Sequence, residues 1–138
     1  MIIGVIDGMG GGIGSQVVHA LRDELPSYID VYALGTNSIA TSAMMKAHAN
    51  KGATGENAII VSSKKVNIIV APISVVMPNS MMGEVTPAIS AAVCDSEAFK
   101  ILLPIMPENF DIVGIEVKPL SLLIKDTIKI IKKEFNIK

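Results

Sequence analysis

An aspartate and five glycines fall within eight residues, Asp7-Gly8-Met9-Gly10-Gly11-Gly12-Ile13-Gly14. Glycine is needed where the backbone takes a positive φ or must lie against a ligand. The residues that follow read as a helix, whose first amides are unpaired and whose dipole is positive at that end. A phosphate is the usual guest of such a helix start. Gly8, Gly10, Gly11, Gly12, Ile13 and Gly14 are therefore candidates for a phosphate cradle. Asp7 either closes the turn by accepting backbone N–H bonds or addresses a cation or a ribose, and turn closure has the stronger claim.

Other polar side chains stand beside strand ends and helix starts. Thr36, Asn37 and Ser38 carry hydroxyl and amide groups suited to a ribose or a 2′-phosphate. Ser74 follows a strongly apolar strand, and Asn57 and Asn79 are candidate orienting donors. Glu56 and Glu84 are the carboxylates suited to acid–base chemistry. Each reads equally well as an acid at a helix N-terminus, where the dipole favours it. His19 lies two turns past the glycines and reads as a surface histidine. His48 has no second ligand at i+4, so no metal site is expected. Cys94, between Val93 and Asp95 with no histidine near in sequence, reads as core packing.

The elements that must position these groups follow from apolar periodicity. Residues 2–7 form a first strand. Ile13, Val17, Leu21 and Leu25 recur every four residues and define the buried stripe of a first helix that Pro26 stops. Residues 29–36 form a second strand, and Asn37-Ser38 offers an N-cap to a helix over 38–50. The glycines of 51–57 predict a loop, and a short helix follows over 56–64. Residues 66–73 are continuously apolar, as a central strand covered on both faces is, and Pro72 ends its ladder. Three Met, two Val and a Pro between Ser74 and Val85 read as a loop packed on the body or on a partner subunit; an adaptable pocket wall is the sharper alternative. Thr86-Pro87 opens a helix running to about Cys94. Residues 100–105 are a fourth strand and 111–117 a fifth. Only five residues separate these two, too few for a parallel return, so the fifth is antiparallel if it pairs with the fourth. Pro119 opens the last helix, with Leu120, Leu123, Ile124, Ile128, Ile131 and Phe135 inward.

Alternation of strands and helices predicts a single α/β domain, a three-layer sandwich on a mostly parallel sheet. The preferred strand order is 2-1-3-4-5, with 3-2-1 as the alternative. In the preferred order a crevice opens between the ends of the first and third strands. It gathers Asp7, the glycine turn and Ser74.

The chain has 138 residues, half of them apolar, with no Trp and one Cys. Its mean hydropathy is +0.52. That length suits one domain, and the apolar excess predicts a homo-oligomer, a dimer or tetramer. A net charge of −1 argues against a nucleic-acid partner. No apolar run reaches the length of a membrane span. No basic leader precedes the first strand, so the cytoplasm is the expected location. The lysines of the last helix, Lys125, Lys129, Lys132 and Lys133, read as a wet face.

Gly8-x-x-x-Gly12-Ile13-Gly14 resembles the nucleotide-binding turn of the short-chain dehydrogenase/reductase branch of the Rossmann families. The resemblance implies a Rossmann-like fold and NAD(P) as the first cofactor to consider. Two departures separate the chain from that branch. The end of the second strand holds Gly35, Thr36 and Asn37 in place of an acid, and no Tyr-x-x-x-Lys pair is present. The whole chain is similar to a small bacterial family known only as a domain of unknown function, through 35–41, 52–58 and 79–87. That similarity implies the fold and no reaction. The expectation is a protein that binds a nucleotide or another phosphate-bearing small molecule at the glycine turn. Its alternatives are a non-catalytic sensing or interaction module and an enzyme acting on a phosphorylated metabolite.

Overall fold

The apolar run after Met1 forms strand β1 (Ile2–Asp7), and α1 (Gly12–Glu24) starts immediately after the glycines. In this computed structural model, which describes residues 1–138, there follow β2 (Asp30–Gly35), α2 (Ser38–Lys46), β3 (Lys51–Thr54), α3 (Glu56–Ser63) and β4 (Ile68–Pro72). A 3-10 turn (Ile73–Val76), α4 (Pro87–Asp95), β5 (Phe99–Leu103) and α5 (Leu120–Glu134) complete the chain. All strand pairs are parallel, in the order β3-β2-β1-β4-β5. The fold is a Rossmann-like α/β sandwich.

Side-chain alternation along the central strands builds two cores. Ile3 and Val5 of β1 and Ile68 and Val70 of β4 pack with Val17, Val18 and Leu21 of α1 and Ile124, Ile128 and Ile131 of α5. On the opposite face Ile6, Ile69 and Ala71 pack with Ile59 of α3 and Ile89 and Val93 of α4. Each fully buried side chain of this size contributes about 1.5–3 kcal/mol. Met44 ties α2 to the first face, and Phe135 meets Phe99 edge-on at 6.2 Å between ring centroids. No helix is long and apolar enough to cross a membrane.

The preferred order holds for the four strands it shares with the structure, and two elements differ. Lys51–Thr54, expected as a loop, is the edge strand β3, paired in register from Tyr32↔Lys51 to Gly35↔Thr54. Asn50 leads into it: its carbonyl oxygen Oδ1 accepts from the Val31 amide at 2.7 Å, and its own amide donates to the Val31 carbonyl at 2.8 Å. Backbone pairing at an edge tolerates a sequence of poor strand propensity. Residues 111–117, expected as a strand, form none. Pro104 and Pro107 turn the chain off the sheet after β5, Gly114 sits at φ +86°, and Val113 and Val117 are fully exposed. The fifth strand of the sheet is Phe99–Leu103, and it is parallel.

Helix ends moved less. α2 stops at Lys46 rather than Asn50, because His48 takes a left-handed φ of +80° that leads into β3. Cys94, expected in the core, is exposed; the helical period gives Ile89 and Val93 the inward places and turns Cys94 out.

Candidate functional site

The strand order reverses between β1 and β4, because the chain crosses the sheet through α3. At such a point the loops on either side diverge and leave a crevice at the carboxyl edge. A cavity of about 530 Å³ lies there, bounded by the glycine turn, Ile13 and Gln16 of α1, Pro72, Ser74, Met81 and the stretch Ile105–Pro107. A larger groove of about 920 Å³ runs between α1 and α5. It shares Gln16 with the first but runs down the outer face of the two helices, lined mainly by polar side chains and by none of the glycines, so it is the weaker candidate.

Asp7 builds the turn. It is 3% exposed, and its two oxygens accept from the amides of Gly8 at 2.8 Å and Gly14 at 2.7 Å. The role is turn closure. Burial pushes its carboxyl above the ordinary aspartate range, the two amides pull it down, and the negative charge of Glu84 adds to the upward shift. Burial wins.

The glycines divide into two sets by what surrounds them. A Cβ on Gly8 would stand 2.5 Å from Thr36 Oγ1, and one on Gly14 would stand 2.6 Å from Met44 Sδ and 2.8 Å from Asp7 Cβ. These two permit close packing. Gly11 takes φ +74° and caps α1 with no side-chain hydrogen bond. Gly10 and Gly12 have nothing within 4 Å of the place a Cβ would occupy. They face open space beside a helix start whose first amides have no intrahelical partner. The amides of Gly10, Gly12 and Ile13 take no part in the hydrogen bonds that close the turn.

Ser74 faces this cradle from the other side. It is 8% exposed, lines the cavity, and its hydroxyl has no hydrogen-bond partner in the protein; its carbonyl accepts from Ser80 Oγ. The hydroxyl is open to the cavity and free to donate, and its neighbours here are amides that the protein leaves unpaired. Together they suit an anionic oxygen.

Glu84 joins three loops. Its Oε1 accepts from Thr36 Oγ1 at 2.6 Å, Asn37 Nδ2 at 2.7 Å and the Met9 amide at 2.9 Å. Desolvation raises its pKa, but the hydrogen bonds from Thr36, Met9 and Asn37 together outweigh that and hold it below the ordinary glutamate range. Glu84 is an ionised brace. It lies two residues before the Thr86 cap of α4, outside that helix's first turn. Asn37 also donates to the Met9 carbonyl at 2.9 Å and caps α2 by accepting from the Ala40 amide at 2.9 Å. Thr36 and Asn37 thus spend their side chains inside the protein.

The remaining expected residues lie elsewhere. Ser38 is exposed on α2, beside Ile39 and Ser42 in a shallow depression. Asn79 is exposed at φ +68°, its amide bonded to the Val85 carbonyl at 2.7 Å. Glu56 is exposed in the first turn of α3, past the edge strand, the place a dipole-favoured acid occupies. Nothing in the sequence reading marks Gln16 or Ile105–Pro107 as cavity walls. The signal for the last was available: every loop after a parallel strand reaches the carboxyl edge, and β5 borders β4. Met81 makes the adaptable wall of the Met-rich loop, while Met82 is 92% exposed.

The sequence pattern of the family described as Domain of unknown function (DUF3842) matches residues 2–136, and the chain belongs to that family. No curated protein and no solved structure matches it significantly.

Proposed function

We propose that this member of the DUF3842 family binds a nucleotide, with NAD(P) first among candidates, through a phosphate held at the start of α1. The observation that carries the reading is a set of hydrogen-bond donors unused by the protein on the walls of one cavity: the Ser74 hydroxyl and the amides of Gly10, Gly12 and Ile13. Supporting it, the cavity lies at the strand reversal where ligands of such sheets bind. Its volume falls within the range of about 300–1,000 Å³ usual for small-molecule sites. The cytoplasm, where such nucleotides are abundant, is the proposed location.

The test is a thermal-shift panel of NAD, NADH, NADP, NADPH, ATP, ADP and AMP, with inorganic phosphate as control. Ligand at 100 times its dissociation constant adds about 2.7 kcal/mol of stability. A shift with a nucleotide and none with phosphate supports the reading. A shift with phosphate and no added shift with any nucleotide favours a phosphorylated metabolite, and no shift at all overturns the site.

A second reading is a non-catalytic sensing module that self-associates. Two observations favour it. The one acid in the cavity wall, Asp7, is occupied by two amides, and Glu84 is held on one oxygen by three donors. The arm after β5 also holds Phe110, Val113, Ile115 and Val117 exposed beside an unpaired sheet edge, a surface suited to a second copy of this chain. Sedimentation with and without the bound nucleotide separates the readings: a sensor changes its assembly, an enzyme does not need to.

A further inference from the structure

We propose that Glu84 supplies the carboxylate that reads the ribose of the bound nucleotide, and so selects one with a free 2′-hydroxyl: NAD over NADP. The inference rests on nucleotide binding at the glycine turn. Dinucleotide proteins of this architecture place an acid at the end of the second strand to receive the ribose hydroxyls. Here β2 ends in Gly35-Thr36-Asn37, which has no acid. A carboxylate nevertheless arrives there from the loop after β4. Thr36 Oγ1 and Asn37 Nδ2 hold its Oε1 at 2.6 and 2.7 Å, and the Met9 amide fixes it to the turn at 2.9 Å. A Cβ on Gly8 would stand 3.0 Å from the same oxygen. The group therefore sits between the end of β2 and the glycine turn, bonded to Met9 of the cavity wall though not itself part of that wall.

Its two oxygens have different duties. Oε1 is saturated by three donors, whereas Oε2 makes no hydrogen bond within the protein. A fixed carboxylate with one free oxygen accepts from a vicinal diol. It also repels a 2′-phosphate, and neither the cavity lining nor the groups that bond Glu84 include a lysine or arginine to offset that repulsion.

The loop that carries Glu84 is built at a cost. Met81, Met82 and Gly83 are consecutive left-handed residues, with φ of +54°, +56° and +89°. Non-glycine residues keep this conformation only where their surroundings over-determine it, and such strain gathers at functional sites. The amide of Glu84 bonds back to the Met81 carbonyl at 3.1 Å and that of Val85 to the Ser80 carbonyl at 3.2 Å, so the turn is closed on both sides of the strained pair.

The experiment measures NAD and NADP binding by calorimetry on the wild-type chain and on Glu84→Gln. Glutamine keeps an oxygen to accept from Thr36, Asn37 and Met9 but removes the charge. The wild type should prefer NAD by about tenfold or more, and Glu84→Gln should lose NAD affinity and bring the ratio near one. Equal binding of the two by the wild type, or a preference unchanged in Glu84→Gln, overturns the assignment of Glu84 and leaves nucleotide binding standing. Failure of the wild type to bind either dinucleotide overturns this inference and NAD(P) as the ligand; nucleotide binding itself falls only if ATP, ADP and AMP also give no shift. ADP against 2′-deoxy-ADP on the wild-type chain gives the same test without a variant: the deoxy form should bind about tenfold more weakly, and equal affinity overturns the role of Glu84.

Discussion

Two glycines two residues apart in the turn should respond in opposite ways to added side chains. Gly14 is enclosed: a Cβ would meet Met44 Sδ at 2.6 Å and Asp7 Cβ at 2.8 Å. Met44 is fully buried and Asp7 is fixed in β1 and by its two amide bonds, so neither yields freely. Overpacking of this kind costs about 1–3 kcal/mol. In a domain this size that lowers Tm by about 3–10 °C for Gly14→Ala. Gly12 has open space on its Cβ side and lies at the first position of α1. Valine is a better helix former than glycine, so Gly12→Val should change stability by less than about 0.5 kcal/mol, although it adds three carbons where Gly14→Ala adds one. Those carbons occupy the cradle, so the thermal shift given to the wild type by its nucleotide should vanish in Gly12→Val. Chemical denaturation of both variants, then the ligand panel on Gly12→Val, gives the comparison. A neutral Gly14→Ala or an unfolded Gly12→Val refutes the packing argument. A folded Gly12→Val that keeps its full ligand shift refutes the location of the site.

Asp7 predicts a pH dependence of stability. Burial raises its folded pKa above the unfolded value, so the folded chain binds the extra proton between those two values, and stability falls as pH rises through that window and is then level. The difference in unfolding free energy between wild type and Asp7→Asn, measured from about pH 3 to pH 8, should carry that slope on top of a constant offset from the lost bond to Gly14. A flat difference curve refutes it. Met82, 92% exposed at φ +56°, predicts a stabilising substitution. Glycine there relieves about 1–2 kcal/mol of left-handed strain against about 0.5–1 kcal/mol of added unfolded-state freedom. Met82→Gly should therefore raise Tm slightly, and a lowered Tm counts against the strained loop.

What the sequence disclosed and what it hid divide by the range of the interaction that decides each element. The glycine turn, the apolar stripe of α1 and the Thr86-Pro87 start of α4 depend on neighbours within one or two helical turns, and all were legible. Lys51–Thr54 and residues 111–117 were misread in opposite directions for one reason. A strand is defined by its partner, and β2 accepts the poor sequence Lys-Gly-Ala-Thr while no edge receives the better one. The carboxylates show the same rule at the site. Glu56 and Glu84 look alike in sequence, each beside a helix start. Glu56 stays in the first turn of α3, exposed, where the dipole alone explains it. Glu84 stands before its helix and reaches 48 residues back in the chain to Thr36. No spacing rule finds that pair, because only the parallel sheet brings the loops after β1, β2 and β4 to one edge. The acid missing from the end of β2 and the acid with no duty in α4 then become one observation.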